Sequence, residues 1–166
     1  MIELRTFAIR VYSAPEVAAA CLALQDEAGV DVPLLLFCGW YAVQAGEIDD
    51  KTFAAAKTIA QELGEQLIYP LRNTRRWMKN RREDQPWIAL REAIKASELQ
   101  AELLLLEQLQ SCLNRPDSEK SGVAPEPTRS EAEIRKNLLR CVTDPAALSE
   151  KNQQQLQCVA HACTQF

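Results

Sequence analysis

Residues 32–43, VPLLLFCGWYAV, contain no charged side chain. From Leu34 to Ala45 the chain is apolar almost all round, so as a helix it has no face to offer water and other helices must surround it. Twelve residues fall short of the about 20 that a helix needs to cross a bilayer. Their place is therefore the centre of a helical core. Composition agrees: Ala, Leu, Glu, Lys, Gln and Arg supply 92 of the 166 residues, and Val, Ile and Thr only 23. That mix favours helix and leaves little for a sheet. An apolar fraction of 47% with 25% charged residues excludes wholesale disorder. The expectation is an all-α chain, a compact bundle of about five to six helices.

Start and stop signals divide the chain. A short helix is expected over 3–12. Ser13-Ala14-Pro15-Glu16 reads as a capping box opening a second helix, with Val17, Cys21, Leu24 and Ala28 on one face and Gly29 as its stop. Asp31 caps the apolar helix, which Gly46 ends. Gly39 inside it costs about 1 kcal/mol against Ala and suits the close approach of a neighbouring backbone. Asp49 caps a helix with the stripe Phe53, Ala56, Ala60 and Leu63, ended by Gly64. A helix over 65–82 contains Pro70, where a kink or break is expected. Pro86 opens the longest helix, over 87–113.

Residues 114–129 differ. They hold Pro116, Pro125 and Pro127 and only Val123 as a sizeable apolar side chain, the composition of a flexible linker. Ser130 begins another capping box, and Asp144-Pro145 starts a last helix with Leu148, Leu156, Val159, Cys163 and Phe166 on a thin stripe. The reading is a helical domain over 1–113, a linker over 114–129 and a C-terminal helical segment over 130–166.

The net charge of −4 hides an uneven distribution: residues 66–82 carry six cations and no acid. On a helix, Arg72, Arg75, Arg76 and Lys79 fall within an arc of about 100°. Leu67, Leu71, Thr74 and Met78 occupy a separate face, so the segment can pack while its cations stay available. That pattern suits an anion: nucleic acid, an acidic protein surface or phosphate. Trp77 lies off the arc and offers stacking. The plainer alternative is a solvated face, or cations paired with the acidic helix that follows. Glu98 falls on the apolar stripe between Ile94 and Ala101. A carboxylate there needs a partner, and Arg72, Arg75 or Arg76 supply one if the two helices are antiparallel neighbours.

The six cysteines form no CxxC pair, and residues 1–10 lack the apolar h-region of a signal peptide. They read as reduced thiols in a cytoplasmic protein. Cys158, His161 and Cys163, even with Cys141, fit no zinc knuckle. Asp26, Asp31, Asp49 and Asp50 lie at helix junctions, where capping uses them. No Walker loop or GxGxxG occurs. No metal, cofactor or catalytic residue is expected.

The stretches Phe7 to Tyr12, Cys21-Leu22-Ala23-Leu24-Gln25-Asp26, Gly29 to Val32, Leu34-Leu35-Leu36-Phe37 and Trp40 resemble the start of a small proteobacterial family of conserved hypothetical proteins carrying a domain of unknown function. Pro70-Leu71-Arg72, Arg75-Arg76, Glu98-Leu99 and Ala101-Glu102 resemble its second half. The resemblance covers about residues 5–110. An Asn is usual in that family where this chain has Pro33. It implies a compact helical domain in the bacterial cytoplasm and supplies no established activity. From the residues themselves, the leading expectation is a non-enzymatic interaction or regulatory protein with a protein partner met through the basic strip. Binding of RNA through the same strip is the alternative, and a helical enzyme with a Glu/Arg-lined pocket comes third. No membrane association is expected.

Overall fold

The computed structural model describes residues 2–79, 81, 84–113 and 130–166. Among these all regular structure is helical: α1 (Leu4–Tyr12), α2 (Val17–Ala28), α3 (Val32–Ala45), α4 (Asp50–Leu63), a π-turn (Gly64–Ile68), α5 (Tyr69–Met78), α6 (Gln85–Gln110), α7 (Glu131–Leu139), a 3₁₀ turn (Pro145–Ala147) and α8 (Glu150–Cys163). Because α4 and α5 run on through the π-turn, the described chain makes seven rods, slightly above the five or six expected for the all-α bundle.

The charge-free segment is the centre. All residues of α3 from Pro33 to Val43 are buried, and α1, α2, α4, α6, α7 and α8 pack on it. Leu35, Phe37 and Trp40 are wholly buried, each worth about 2 kcal/mol or more of apolar transfer. The indole Nε1 of Trp40 donates to the Ile2 carbonyl at 2.8 Å, which draws the N-terminal segment over the core. Gly39 does permit a close approach, but by a side chain and not a backbone. A Cβ there meets the Cys163 Sγ of α8 at 2.8 Å.

The caps at Asp31 and Asp49 form as the sequence indicates, accepting from the Leu34 N–H at 2.9 Å and the Thr52 N–H at 2.8 Å. Ser13 does something else. Its Oγ donates to the Ile9 carbonyl at 2.7 Å and closes α1, so the expected capping box does not form. The chain turns by 97° into α2 through Glu16 at φ 66°, a left-handed conformation costly for a residue with a Cβ. The last helix also starts later than expected. Asp144 caps the start of the 3₁₀ turn, and Ser149 caps α8 by accepting from the Asn152 N–H at 3.2 Å.

The two C-terminal helices share the core. Ile134, Leu138, Leu156, Val159 and Cys163 are wholly buried together with Leu4, Phe7, Cys21 and Leu24. Asn137 of α7, 1% exposed, replaces water for the end of α3: its Nδ2 donates to the Gly46 carbonyl at 3.0 Å and its Oδ1 accepts from the Ile48 N–H at 3.2 Å. Residues 114–129, read from the sequence as a linker, lie outside the described residues. Among the described residues no single helix is long and apolar enough to cross a membrane.

Candidate functional site

The long continuous rod of α4, the π-turn and α5 leads into α6, which returns against it. Neither Gly64 nor Pro70 breaks that rod. Proline has no N–H and crowds the carbonyl one turn back, which an α-helix interior tolerates poorly. The π-turn just before it widens the backbone, with the Tyr69 N–H donating to the Gly64 carbonyl. Gly64 is needed for a further reason: a Cβ there lies 2.8 Å from the Tyr69 ring. The ring fills that space, and its hydroxyl donates to Asp31 Oδ2 at 3.3 Å.

This local geometry turns Arg72 and Arg75 toward α6. There Glu98 is buried, 6% exposed. Its Oε1 accepts from Arg72 Nε at 2.8 Å, and its Oε2 from Arg75 Nε at 2.5 Å. A second guanidinium nitrogen of Arg75 reaches Oε1 at 3.2 Å. Arg72 extends to Glu102, one turn along α6, at 2.6 Å. Two cations and two carboxylates form a neutral cluster in which each Nε of the arginines has an acceptor. Burial pushes the Glu98 carboxyl up, but the hydrogen bonds from Arg75 and Arg72 outweigh it and hold the group below its ordinary value. Glu102 goes the other way. Burial raises it, Arg72 offsets part of that, and the neighbouring Glu98 charge adds to the rise.

Arg76 leaves this cluster and meets Asp26 at the end of α2 at 2.8 Å. Both side chains are about half exposed, so the pair adds little stability. Lys79 is exposed and makes no ion pair among the described residues. Trp77 is 54% exposed. Its ring lies 6.0 Å from that of Trp87 across the hairpin, and the Arg81 guanidinium sits 4.8 Å over it. The residues of the basic strip therefore separate. Arg72 and Arg75 join Glu98 between the helices, Arg76 ties α5 to α2, and Lys79 and Trp77 stay at the surface.

Glu102 and Asp26 complete these pairs; from the sequence, Asp26 is placed at a helix junction as a capping residue and neither acid is assigned to Arg72 or Arg76. The spacing of four between Glu98 and Glu102, one helical turn, was the available signal. The Asp26–Arg76 pair joins residues fifty positions apart and left no local trace.

The Cys and His residues near the C-terminus do not converge. His161 Nδ1 lies 2.9 Å from Glu131 Oε2 at the surface, whereas Cys163 is buried against Gly39. All six cysteines are free thiols. Burial pushes the Cys21 thiol up to about 12, and the hydrogen bond to Cys38, 3.4 Å away, together with burial raises Cys141. Such thiols pack as small apolar groups.

No curated protein and no solved structure matches the chain. A family model does match, over residues 3–109, which takes in α1 through nearly all of α6 and with them the whole Arg–Glu cluster. The chain thus belongs to the family described as Protein of unknown function (DUF2390).

Proposed function

We propose that this chain is a non-enzymatic interaction protein that meets a protein partner through the exposed apolar surface of the α5–α6 hairpin. The observation that carries the reading is that large apolar side chains lie open where the hairpin's main charges are already paired. Trp77, Leu90 and Leu99 are more than half exposed, and Ile88 is 43% exposed. Ile88 and Leu99 are three turns apart on one flank of α6, with the exposed Lys95–Glu92 ion pair between them. Farther along that flank, Leu106 is buried under the core. The first half of α6 thus presents large apolar side chains that the other described residues leave uncovered, set among paired charges such as Glu92 and Lys95, and apolar area open to water supports an association surface. Lys79 and Arg81 at the end of the hairpin favour a partner with acidic groups beside its apolar contact. Arg72 and Arg75 contribute by holding the hairpin together.

The test is quantitative affinity capture from the native cell extract with and without nuclease treatment, comparing wild type with Trp77→Ala and with Leu99→Ser. Both changes lie at exposed positions, and circular dichroism checks that the fold is kept. The proposal expects one protein enriched by the wild type and depleted at least several-fold in both variants. Identical capture by all three proteins overturns it. Enrichment that vanishes on nuclease treatment moves the function to nucleic-acid binding.

A further inference from the structure

A cleft of about 280 Å³ opens on the far side of the π-turn, between the Gly29–Asp31 turn, α4 and the end of α7. It is separate from the apolar flank of α6. Leu34, Phe53 and Ala60 give it an apolar lining, and Asp31, Lys57, Glu65 and Tyr69 give it polar groups. Its volume is near the lower end for small-molecule sites.

The polar groups are unevenly engaged. Asp31 Oδ1 serves as the cap of α3, whereas Oδ2 has only the long 3.3 Å hydrogen bond from Tyr69. A carboxylate accepts about four hydrogen bonds, so Asp31 keeps acceptor capacity on the cleft side. Glu65 accepts one hydrogen bond, from Gln61 at 2.9 Å. Arg140, also in the lining, is occupied by Asp50 at 2.6 Å, by the Ile48 carbonyl and by the face of Phe53. Two carboxylates and two cations line the cleft, and with the Arg140 charge met by Asp50 outside the lining, the two carboxylates remain against Lys57 alone, a balance that favours positive charge. The Tyr69 ring, 36% exposed, stands beside both acids and already takes one cation, the Arg72 guanidinium 5.9 Å from its centroid. Among the described residues no group of three or more His, Cys, Asp or Glu side chains is placed to hold a metal ion. The apolar lining calls instead for a cation with a hydrocarbon body. The π-turn carries Glu65 into this lining, and the missing Gly64 side chain lets Tyr69 stand over it.

We propose that the cleft binds a small alkylammonium compound, its ammonium group held by Asp31 and Glu65 beside the Tyr69 ring and its alkyl chain lying on Leu34 and Phe53. An ammonium has three donors and no acceptor, which suits two under-used carboxylates. The same chemistry occurs in simple amines and in amino acids, and Lys57 distinguishes them because it can meet a ligand carboxylate.

The experiment is a titration of the isotope-labelled full chain with n-butylamine, L-norleucine and butan-1-ol, followed by NMR. The proposal expects saturable shifts around Asp31 and Tyr69 with butylamine or norleucine and none with butanol. Asp31→Asn retains a good capping side chain and is expected to weaken binding about tenfold or more. Glu65→Gln, at an exposed position, gives the same direction and serves if Asp31→Asn does not fold. Norleucine binding that falls with Lys57→Met identifies an amino-acid ligand; butylamine binding indifferent to Lys57→Met identifies a simple amine. No saturable shift up to roughly 10 mM, equal binding of butanol, or unchanged affinity in the carboxylate variants overturns the proposal.

Discussion

Glu98 and Glu102 stand one turn apart on α6 and share Arg72, yet they titrate with opposite sign. The folded-state value of Glu98 lies below its ordinary value of 4.5. As pH falls, the unfolded chain therefore takes up this proton first. Stability from Glu98 is fully present above about pH 4.5 and is lost as pH drops through the lower folded value. Glu102 is raised, so the folded chain takes up its proton first, and its contribution is present at low pH and lost as pH rises through the folded value. Urea titrations between pH 3 and 6 check this. Glu98→Gln should flatten the acid fall in stability, and Glu102→Gln should steepen it. The same slope in both variants contradicts the assignment. Deleting the acid altogether is more severe: Glu98→Ala leaves two guanidinium groups facing each other and is expected to cost about 3–5 kcal/mol. Charge reversal at Arg72 or Arg75 places a third carboxylate in the cluster. Loss of a partner in such variants therefore reports the fold and not the interface.

At the scale of the element, the π-turn decides where α5 points. Gly64→Ala puts a methyl group 2.8 Å from the Tyr69 ring, which must move and release Asp31. The expected loss is about 1–3 kcal/mol, despite the gain of up to about 1 kcal/mol that Ala brings to a helix interior. Adding Tyr69→Ala should recover part of it, and thermal melts of the two variants measure the difference. This element also marks the limit of what could be read in advance. The central place of α3 followed from the absence of charge, and the caps at Asp31 and Asp49 followed from local chemistry. The pairing of Glu98 with Arg72 and Arg75 was legible because a carboxylate on an apolar stripe has few solutions. The continuity through Gly64 and Pro70 was not legible. Both residues signal a stop locally, and only the packing against α6 and the Tyr69 contact make one continuous rod more favourable than two. Ser13 failed as a cap for a similar reason, since its hydroxyl found the Ile9 carbonyl of the helix it ends.

Across the whole molecule the C-terminal helices complete the core that α3 organises. α8 lies along α2, with Cys163 in the space left by Gly39 and Lys151 paired with Glu27 at 2.5 Å. A chain ending at residue 113 leaves Cys21, Leu24, Cys38 and Gly39 without the side chains of α7 and α8 that cover them. It is expected to lose cooperative unfolding and to bind a hydrophobic dye, whereas the full chain should unfold in one urea transition seen alike by circular dichroism and tryptophan fluorescence. That single transition also provides the scale for the central claim, that Arg72 and Arg75 of the basic strip are a clamp between α5 and α6. The most direct measurement is a double-mutant cycle with Arg75→Met and Glu98→Leu, read by urea unfolding. A clamp predicts that the two changes couple by about 2 kcal/mol, the double variant being far less destabilised than the sum of the singles. Free energies that add to within about 0.5 kcal/mol would show that Arg75 and Glu98 do not act together and would contradict the clamp.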